Sequence, residues 1–343
     1  MEPPPFPAVY PSKYPYDGAV EPLNLKPHEL LALYHTMVMA RAMDRRLWSL
    51  KDSPPQTFGV PPWNSRGGRS AGWGQSHWIS LAGYEAVQVA AAATLRPGVD
   101  WVVPHPSDLA LCLALGLSPL DLMLSTFDSR RARIVTTSGL AGTHIVHAAG
   151  IAYASKLRGV DEVTLASIDY RGIDAGDWHE GLNFAAVHRL PLICLVQDNV
   201  PRAQVVPGNR SLDMIVAKAG GYGIAGESVD GTDFGAAFDA LSRAVDRARA
   251  GGGPTLVHAK VIELTALTPR GSRQSQEQME AMSHQDPIER IRARLHDANL
   301  LDDITDDKIQ RDCIGAVEAA IDQAASATSP EPAAALDNVF SDA

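Results

Sequence analysis

The sequence predicts an α/β fold, a doubly wound and mostly parallel sheet with helices on both faces. Three segments, 163–169, 192–198 and 255–261, are continuous apolar runs, typical of strands buried on both faces. Helical stretches separate these runs and give the spacing of βαβ units. With 343 residues and 45% hydrophobic content the chain can bury a large core, and we expect one large domain.

The first part of the chain predicts an arm, a helix and a loop. Residues 1–25 are rich in proline and predict an extended arm. Residues 26–50 place apolar side chains on one helical stripe, with Pro27 in the first turn. Residues 51–80 carry four prolines, five glycines and three tryptophans without a helical or strand period, which predicts a long loop. We expect this loop to cover the entrance of the functional site.

The rest of the chain alternates helices and strands. A helix of small residues over 83–95 ends at Pro97 and precedes a short strand at 101–104. Further helices are predicted at 144–157, 178–189, 212–219 and 234–250, after Asp286-Pro287, and at 306–324. Residues 327–343 read as a tail, so the predicted domain covers 26–326.

Composition argues against several classes of protein. A formal net charge of −10 argues against binding to nucleic acid or to an anionic membrane, because both attract positively charged proteins. No run of about eighteen apolar residues predicts a membrane span, and the proline-rich N-terminus does not resemble a secretory signal. Three widely spaced cysteines, Cys112, Cys194 and Cys313, argue against a disulfide framework. We expect a cytoplasmic protein.

In open parallel sheets ligands lie beyond the carboxyl ends of the strands, which here means just after Val103, Asp169, Asp198 and Val261. The turn after Asp169 holds Gly172 and Gly176 ahead of a helix. Its amides could face an anion at the helix N-terminus, or the glycines could merely permit tight turns.

Several collinear motifs carry a specific resemblance. They are GYEAVQVA at 83, LALGLSPLDLML at 113, GDWHEGLNFAAVHRLP at 176, GYGIAGESVDGTD at 221, GPTLVHAKV at 253 and DPIERIRARL at 286. From about residue 27 to 340 the chain resembles the E1 α subunit of thiamine-diphosphate-dependent 2-oxo acid dehydrogenases, of the branched-chain or pyruvate type. The resemblance implies thiamine diphosphate with Mg²⁺ at an interface with a β subunit, in an α₂β₂ assembly. It also implies decarboxylation of a 2-oxo acid and acyl transfer to a lipoyl group of an E2 protein.

The resemblance also implies metal-binding positions. The metal-binding acid of the family falls on Tyr170, although a one-residue slip of the loop would bring Asp169 there. Asn199 matches an asparagine that binds Mg²⁺, and Pro201 could offer its carbonyl. A neutral phenol is a poor ligand for Mg²⁺, which prefers hard oxygen ligands.

Further cofactor positions are implied in the same way. Ser138 would line the aminopyrimidine pocket, and Gln197 precedes the asparagine position. Arg171 and Arg202 are cations that the family pattern does not include, and either could bind phosphate. The family's diphosphate-binding pair falls on Pro106-Ser107, and no histidine occurs in the loop at 263–274. Tyr84 replaces a histidine or glutamine. These departures predict a degenerate cofactor site without a catalytic residue.

Two hypotheses of function therefore remain open. In the first, the chain is the α subunit of a 2-oxo acid dehydrogenase E1 component. In the second, it is a non-catalytic scaffold or regulatory subunit that has lost thiamine diphosphate and Mg²⁺. In either case we expect the small-residue helices 83–95 and 147–157 at subunit interfaces. The acidic residues around 174–180 are interpreted as helix-capping groups rather than a metal site.

Overall fold

A computed structural model describes residues 25–50, 80, 82–106, 108–124, 132–135, 140–199, 213–264, 280 and 282–328, apart from a few side chains. The predicted arm, loop and tail lie outside these residues, except for Leu25, Ser80, Ala327 and Thr328. Their assignment, and the expectation that the loop covers the site, stay predictions.

The described residues contain a sheet of five parallel strands in the order β1-β2-β3-β5-β4. The strands are β1 (Trp101–Val103), β2 (Thr164–Asp169), β3 (Leu192–Asp198), β4 (Ala225–Asp230) and β5 (Thr255–Lys260). Four of them confirm predicted strands. β4 was missed because its sequence, AGESVD, carries two acids and a glycine and lies at an edge of the sheet, where an apolar run is not required.

Ten α-helices surround the sheet in the described part of the chain. They are α1 (Pro27–Leu50), α2 (Glu85–Ala93), α3 (Leu109–Ala114), α4 (Pro119–Leu124), α5 (Thr143–Arg158), α6 (Gly176–Val187), α7 (Asp213–Tyr222), α8 (Phe234–Arg249), α9 (Pro287–Asp297) and α10 (Asp303–Ser326). The predicted helices are confirmed. The unpredicted α3 and α4 have six residues each, too few to show a helical period.

Two apolar clusters cover the two faces of the sheet. Strand residues alternate between them, so that Leu165 and Ile193 join one cluster while Ala166 and Cys194 join the other. The first cluster includes α1, α2, α3, α8, α9 and α10, and the second includes α5, α6 and α7. The doubly wound fold is thereby confirmed.

The expectation for α2 as an interface helix is wrong. All residues from Glu85 to Ala92 are buried within the chain, because α2 packs against α1, α3, α8 and α9. Small residues here permit close packing inside the subunit. By contrast α5 keeps an exposed outer face, with Val146 and Leu157 at the surface. Among the described helices, none combines the length and apolar character that a bilayer crossing requires.

Candidate functional site

The parallel strands bring the predicted site residues to one edge of the sheet. Asp169 ends β2 and pairs in register with Gln197 of β3. Asp198 ends β3 and pairs in register with Lys260 of β5. Asn199 follows Asp198 directly, so three predicted residues, Asp169, Gln197 and Asn199, lie at the same carboxyl edge.

A closed set of polar side chains lies beneath this edge and is called here the interior network, formed by Gln88, Asp108, Ser167 and Gln197. Asp108 Oδ1 accepts hydrogen bonds from Gln88 Nε2 at 3.0 Å and from Gln197 Nε2 at 2.8 Å. Gln197 Oε1 in turn accepts from Gln88 Nε2 at 3.1 Å. Both ends of the Gln197 amide are therefore engaged inside the protein.

The second oxygen of Asp108 is also held. Asp108 Oδ2 accepts from the backbone amide of His105 at 2.8 Å and from the hydroxyl of Ser167. His144 on α5 donates from Nε2 to the backbone oxygen of Ser167 at 2.8 Å, and burial lowers the pKa of this imidazole. The network thus joins α2, β2, β3 and the turn after β1, and His144 connects α5 to it.

A second polar group, the ion-pair cluster, consists of Asp169, Tyr170 and Arg171. Asp169 is buried and caps the 3₁₀ turn that follows β2. Its Oδ1 accepts from the backbone amide and from Nε of Arg171 at 2.8 and 2.6 Å, and its Oδ2 accepts from Nη2 at 2.9 Å. These hydrogen bonds raise the pKa of Arg171. The guanidinium also lies 5.8 Å from the centre of the Tyr170 ring.

The phenol of Tyr84, at the start of α2, interacts electrostatically with Asp169 and Arg171 of the ion-pair cluster. Its ring is fully buried, and its hydroxyl has no hydrogen-bond partner among the described residues. Burial raises the pKa of Tyr84 well above its usual range, and the charges of Asp169 and Glu263 add to that rise. Buried hydroxyls are normally hydrogen-bonded, so the unpartnered phenol is an unusual feature of this edge.

Two further pairs complete the edge. Asn199 Nδ2 donates to Glu263 Oε2 at 3.0 Å. Asp198 Oδ2 lies 2.9 Å from Nε2 of His258, and both residues are buried. Sequence reasoning missed Glu263 and His258 as site residues. The available signal was their place on and just beyond the third apolar strand, facing the end of β3.

Ser138, Pro201, Ser107 and Arg202 lie outside the described residues, so their roles stay predictions. Asp177 lies in the first turn of α6 and accepts from the Thr143 hydroxyl at 2.6 Å. Within the described ranges, no group of three or more His, Cys, Asp or Glu side chains is arranged to hold a metal ion.

Comparison with known proteins identifies the class to which this fold and site belong. Residues 74–333 match the family described as Dehydrogenase E1 component, and the chain belongs to that family. It is 32% identical over 340 residues to 2-oxoisovalerate dehydrogenase subunit alpha of Bacillus subtilis (strain 168), covering 93% of this chain and 97% of the relative.

Two other relatives carry similar names. The chain is 33% identical to 3-methyl-2-oxobutanoate dehydrogenase subunit alpha of Mycobacterium tuberculosis (strain CDC 1551 / Oshkosh), over 80% of this chain and 72% of the relative. It is 30% identical to pyruvate dehydrogenase E1 component subunit alpha of Acholeplasma laidlawii, over 68% of this chain and 71% of the relative. The similarity is therefore to α subunits of branched-chain 2-oxo acid and pyruvate dehydrogenases.

Proposed function

We propose that this chain is the α-type subunit of a 2-oxo acid dehydrogenase E1 component. The observation that carries the proposal is relatedness to α subunits over nearly the full length of both proteins. The proposed reaction is oxidative decarboxylation of a branched-chain 2-oxo acid or of pyruvate, with acyl transfer to a lipoyl-bearing E2 protein. Thiamine diphosphate is the cofactor that this proposal implies.

An exposed apolar surface supports the proposed β-type partner. It is called here the α5–α6 face, and its exposed side chains are Val146 (42%), Leu157 (69%), Phe184 (40%) and Val187 (71%). Exposed apolar side chains on two helices that pack against each other are a common feature of protein–protein interfaces. We propose that a β-type subunit covers this face in an α₂β₂ assembly.

The test is co-expression with the β-type subunit. Val187→Asp places a charge on the α5–α6 face and should abolish co-purification while leaving the chain folded. Ile304→Asp, at an apolar residue that is 80% exposed on α10, is the matched control and should leave co-purification intact. Equal behaviour of the two variants would contradict the proposed face.

Activity of the assembly tests the reaction itself. The co-purified pair should reduce an artificial electron acceptor in the presence of 3-methyl-2-oxobutanoate or pyruvate, and the ratio of kcat/KM for the two acids would identify the substrate. An intact pair that is inactive with both acids would contradict the catalytic proposal.

One observation favours a second candidate, a non-catalytic α-type subunit. Mg²⁺ requires a nearly octahedral set of oxygen ligands. Both oxygens of Asp169 are engaged by Arg171, and the Asn199 amide donates to Glu263. The carboxylate of Asp169 is therefore not available to a divalent metal in this arrangement, and the described residues hold no group of three or more His, Cys, Asp or Glu side chains that could bind one. Among the described residues, Arg171 beside Asp169 is already paired with that carboxylate, so its charge is not available to hold a diphosphate in this arrangement.

Calorimetric titration of thiamine diphosphate with Mg²⁺ into the co-purified pair separates the two candidates. Saturable binding that depends on Mg²⁺ and is lost in Asn199→Ala would support the catalytic subunit. An assembled pair without detectable binding would support the scaffold or regulatory subunit.

We also propose a cytoplasmic location. Cys112, Cys194 and Cys313 are all free thiols buried in the protein. Burial raises the pKa of Cys194 to about 12, so its thiol stays protonated and unreactive. Fractionation of cells that express the tagged chain would test this location.

A further inference from the structure

A pocket of about 340 Å³ opens between α1, α9 and α10. It is called here the three-helix pocket, and no residue of the interior network or of the ion-pair cluster lines it. Small molecules occupy pockets of roughly 300 to 1,000 Å³. Val38, Ala42 and Ile288 give this pocket an apolar wall, and four arginines and three carboxylates line the rest of it together with uncharged polar side chains. Its size and lining therefore suit a small ligand that has both an apolar and a charged part.

Ion pairs hold the helices around the pocket in place. The Arg41 side chain on α1 is only 6% exposed, and it donates to both oxygens of Asp286, the N-cap of α9, at 3.0 and 3.1 Å. It also donates to both oxygens of Glu85 on α2 at 2.5 and 2.9 Å. Arg46 on α1 donates to Glu318 on α10 at 2.8 Å. Because the walls are fixed before a ligand arrives, binding requires little further ordering of side chains.

One arginine of the pocket differs from the other three. Arg292 on α9 lies 2.9 Å from Asp306 on α10, so it is paired with a carboxylate as Arg41 and Arg46 are. Arg45 lies one helical turn after Arg41 on α1 and is exposed. It makes no ion pair or hydrogen bond with any residue that the structure describes. Its guanidinium is therefore available to an anion that enters from solvent.

The charges of the pocket favour a ligand with a single negative charge. Asp286, Glu289 and Glu318 line the pocket and repel negative charge, and Arg45 is the lining arginine whose charge no described acid offsets. A carboxylate brings one charge, and its two oxygens match the two parallel N–H donors of a guanidinium. A phosphate dianion would bring a second charge, for which no unpaired arginine is left in the described lining.

We propose that the three-helix pocket binds a small aliphatic carboxylate. The carboxylate pairs with Arg45, and the hydrocarbon chain lies against Val38, Ala42 and Ile288. A ligand in this position bridges α1 and α9, so it stabilises the folded chain by binding to it. The proposal concerns this chain alone and holds for either function proposed above.

Saturation-transfer NMR of the purified full-length chain with butanoate tests the class of ligand. We expect saturable binding of butanoate and a rise in melting temperature, whereas butanamide, which has the same carbon chain without the charge, should not bind. Inorganic phosphate, added as a competitor, should displace butanoate only weakly. Absence of saturable butanoate binding, equal binding of butanamide, or full displacement by equimolar phosphate would each overturn the proposal.

A charge variant locates the bound carboxylate. Arg45→Gln should weaken butanoate binding by at least about tenfold, because it removes the charged donors that pair with the carboxylate. Arg311 is the matched control, since it is an exposed arginine of α10 that does not line the pocket and has no partner among the described residues. Arg311→Gln should bind butanoate as the wild type does. Unchanged affinity in a folded Arg45→Gln chain, or an equal loss in Arg311→Gln, would overturn the proposal.

A size variant tests the apolar wall and does not depend on the behaviour of Arg45→Gln. Ala42→Leu fills part of the pocket with a residue that favours helix, and it should abolish butanoate binding. Ala42→Ser keeps the side chain small and should bind nearly as the wild type does. Circular dichroism checks that both variants are folded. Full butanoate binding in a folded Ala42→Leu chain would overturn the placement of the ligand. All these measurements concern binding to this chain, so their outcome is separate from β-subunit pairing and from dehydrogenase activity.

Discussion

The interior network and the ion-pair cluster each hold a buried carboxylate at the same edge of the sheet, but in different ways. Asp108 receives four hydrogen bonds from uncharged donors on four separate parts of the chain. Asp169 receives three, all from Arg171 two residues away. The first arrangement ties distant elements together, whereas the second ties only a local turn. Stability should depend on the first, and the charge of the site on the second.

The largest expected effect is that of Asp108→Ala. It would leave the buried donors of Gln88, Gln197 and Ser167 without their acceptor, and we expect the free energy of unfolding to fall by roughly 3 to 5 kcal/mol. Urea denaturation followed by circular dichroism measures the change. Asp302→Ala, which removes an exposed helix cap that accepts from the Thr305 amide, should cost much less. Equal losses of unfolding free energy in the two variants would show that the interior network stabilises the fold no more than one exposed helix cap does.

The next largest expected effect is a difference in stability between variants of two buried tyrosines. Tyr34 and Tyr84 are both fully buried, but the Tyr34 hydroxyl donates to Asp306 at 2.5 Å and accepts from Arg292 at 3.1 Å, whereas that of Tyr84 has no described partner. Tyr34→Phe should lower the free energy of unfolding by about 1 to 2 kcal/mol. Tyr84→Phe should leave it unchanged or raise it by up to about 1 kcal/mol.

Urea titrations of both variants under one buffer condition check this contrast. A loss in Tyr84→Phe as large as that in Tyr34→Phe would mean that the Tyr84 hydroxyl has a partner in solution.

Much of the fold could be predicted from the sequence because its strands are buried and its helices are periodic. Three long apolar runs predicted β2, β3 and β5. Because parallel strands end at the same edge of a sheet, the ends of β2 and β3 bring Asp169, Gln197 and Asn199 together there. The edge strand β4 lacked this signal.

The partners of the site residues were harder to predict. Gln197 meets Gln88 and Asp108, which are 109 and 89 residues away in the chain, and only the packing of α2 and α3 on the sheet brings them together. The sequence identifies Arg171 as a cation near the predicted site. It does not indicate whether the guanidinium binds a ligand or forms two hydrogen bonds to the Asp169 carboxylate. That choice depends on the local turn after β2.

The smallest expected effect is a pH dependence that comes from His144, which is hydrogen-bonded to the backbone of Ser167 in the interior network. Burial lowers the pKa of His144 below its ordinary value of 6.5, so the unfolded chain takes up a proton at this imidazole more readily than the folded protein does. Stability should therefore be complete above about pH 6.5 and should fall as the pH drops towards the lower pKa of the folded state. His144→Gln should reduce this slope in urea titrations between about pH 7.5 and about pH 5.5. His35, whose pKa burial also lowers, should account for part of the remaining slope. An unchanged slope in His144→Gln would mean that the imidazole reaches water in solution, and the interior network would then be less closed than the Asp108 prediction requires.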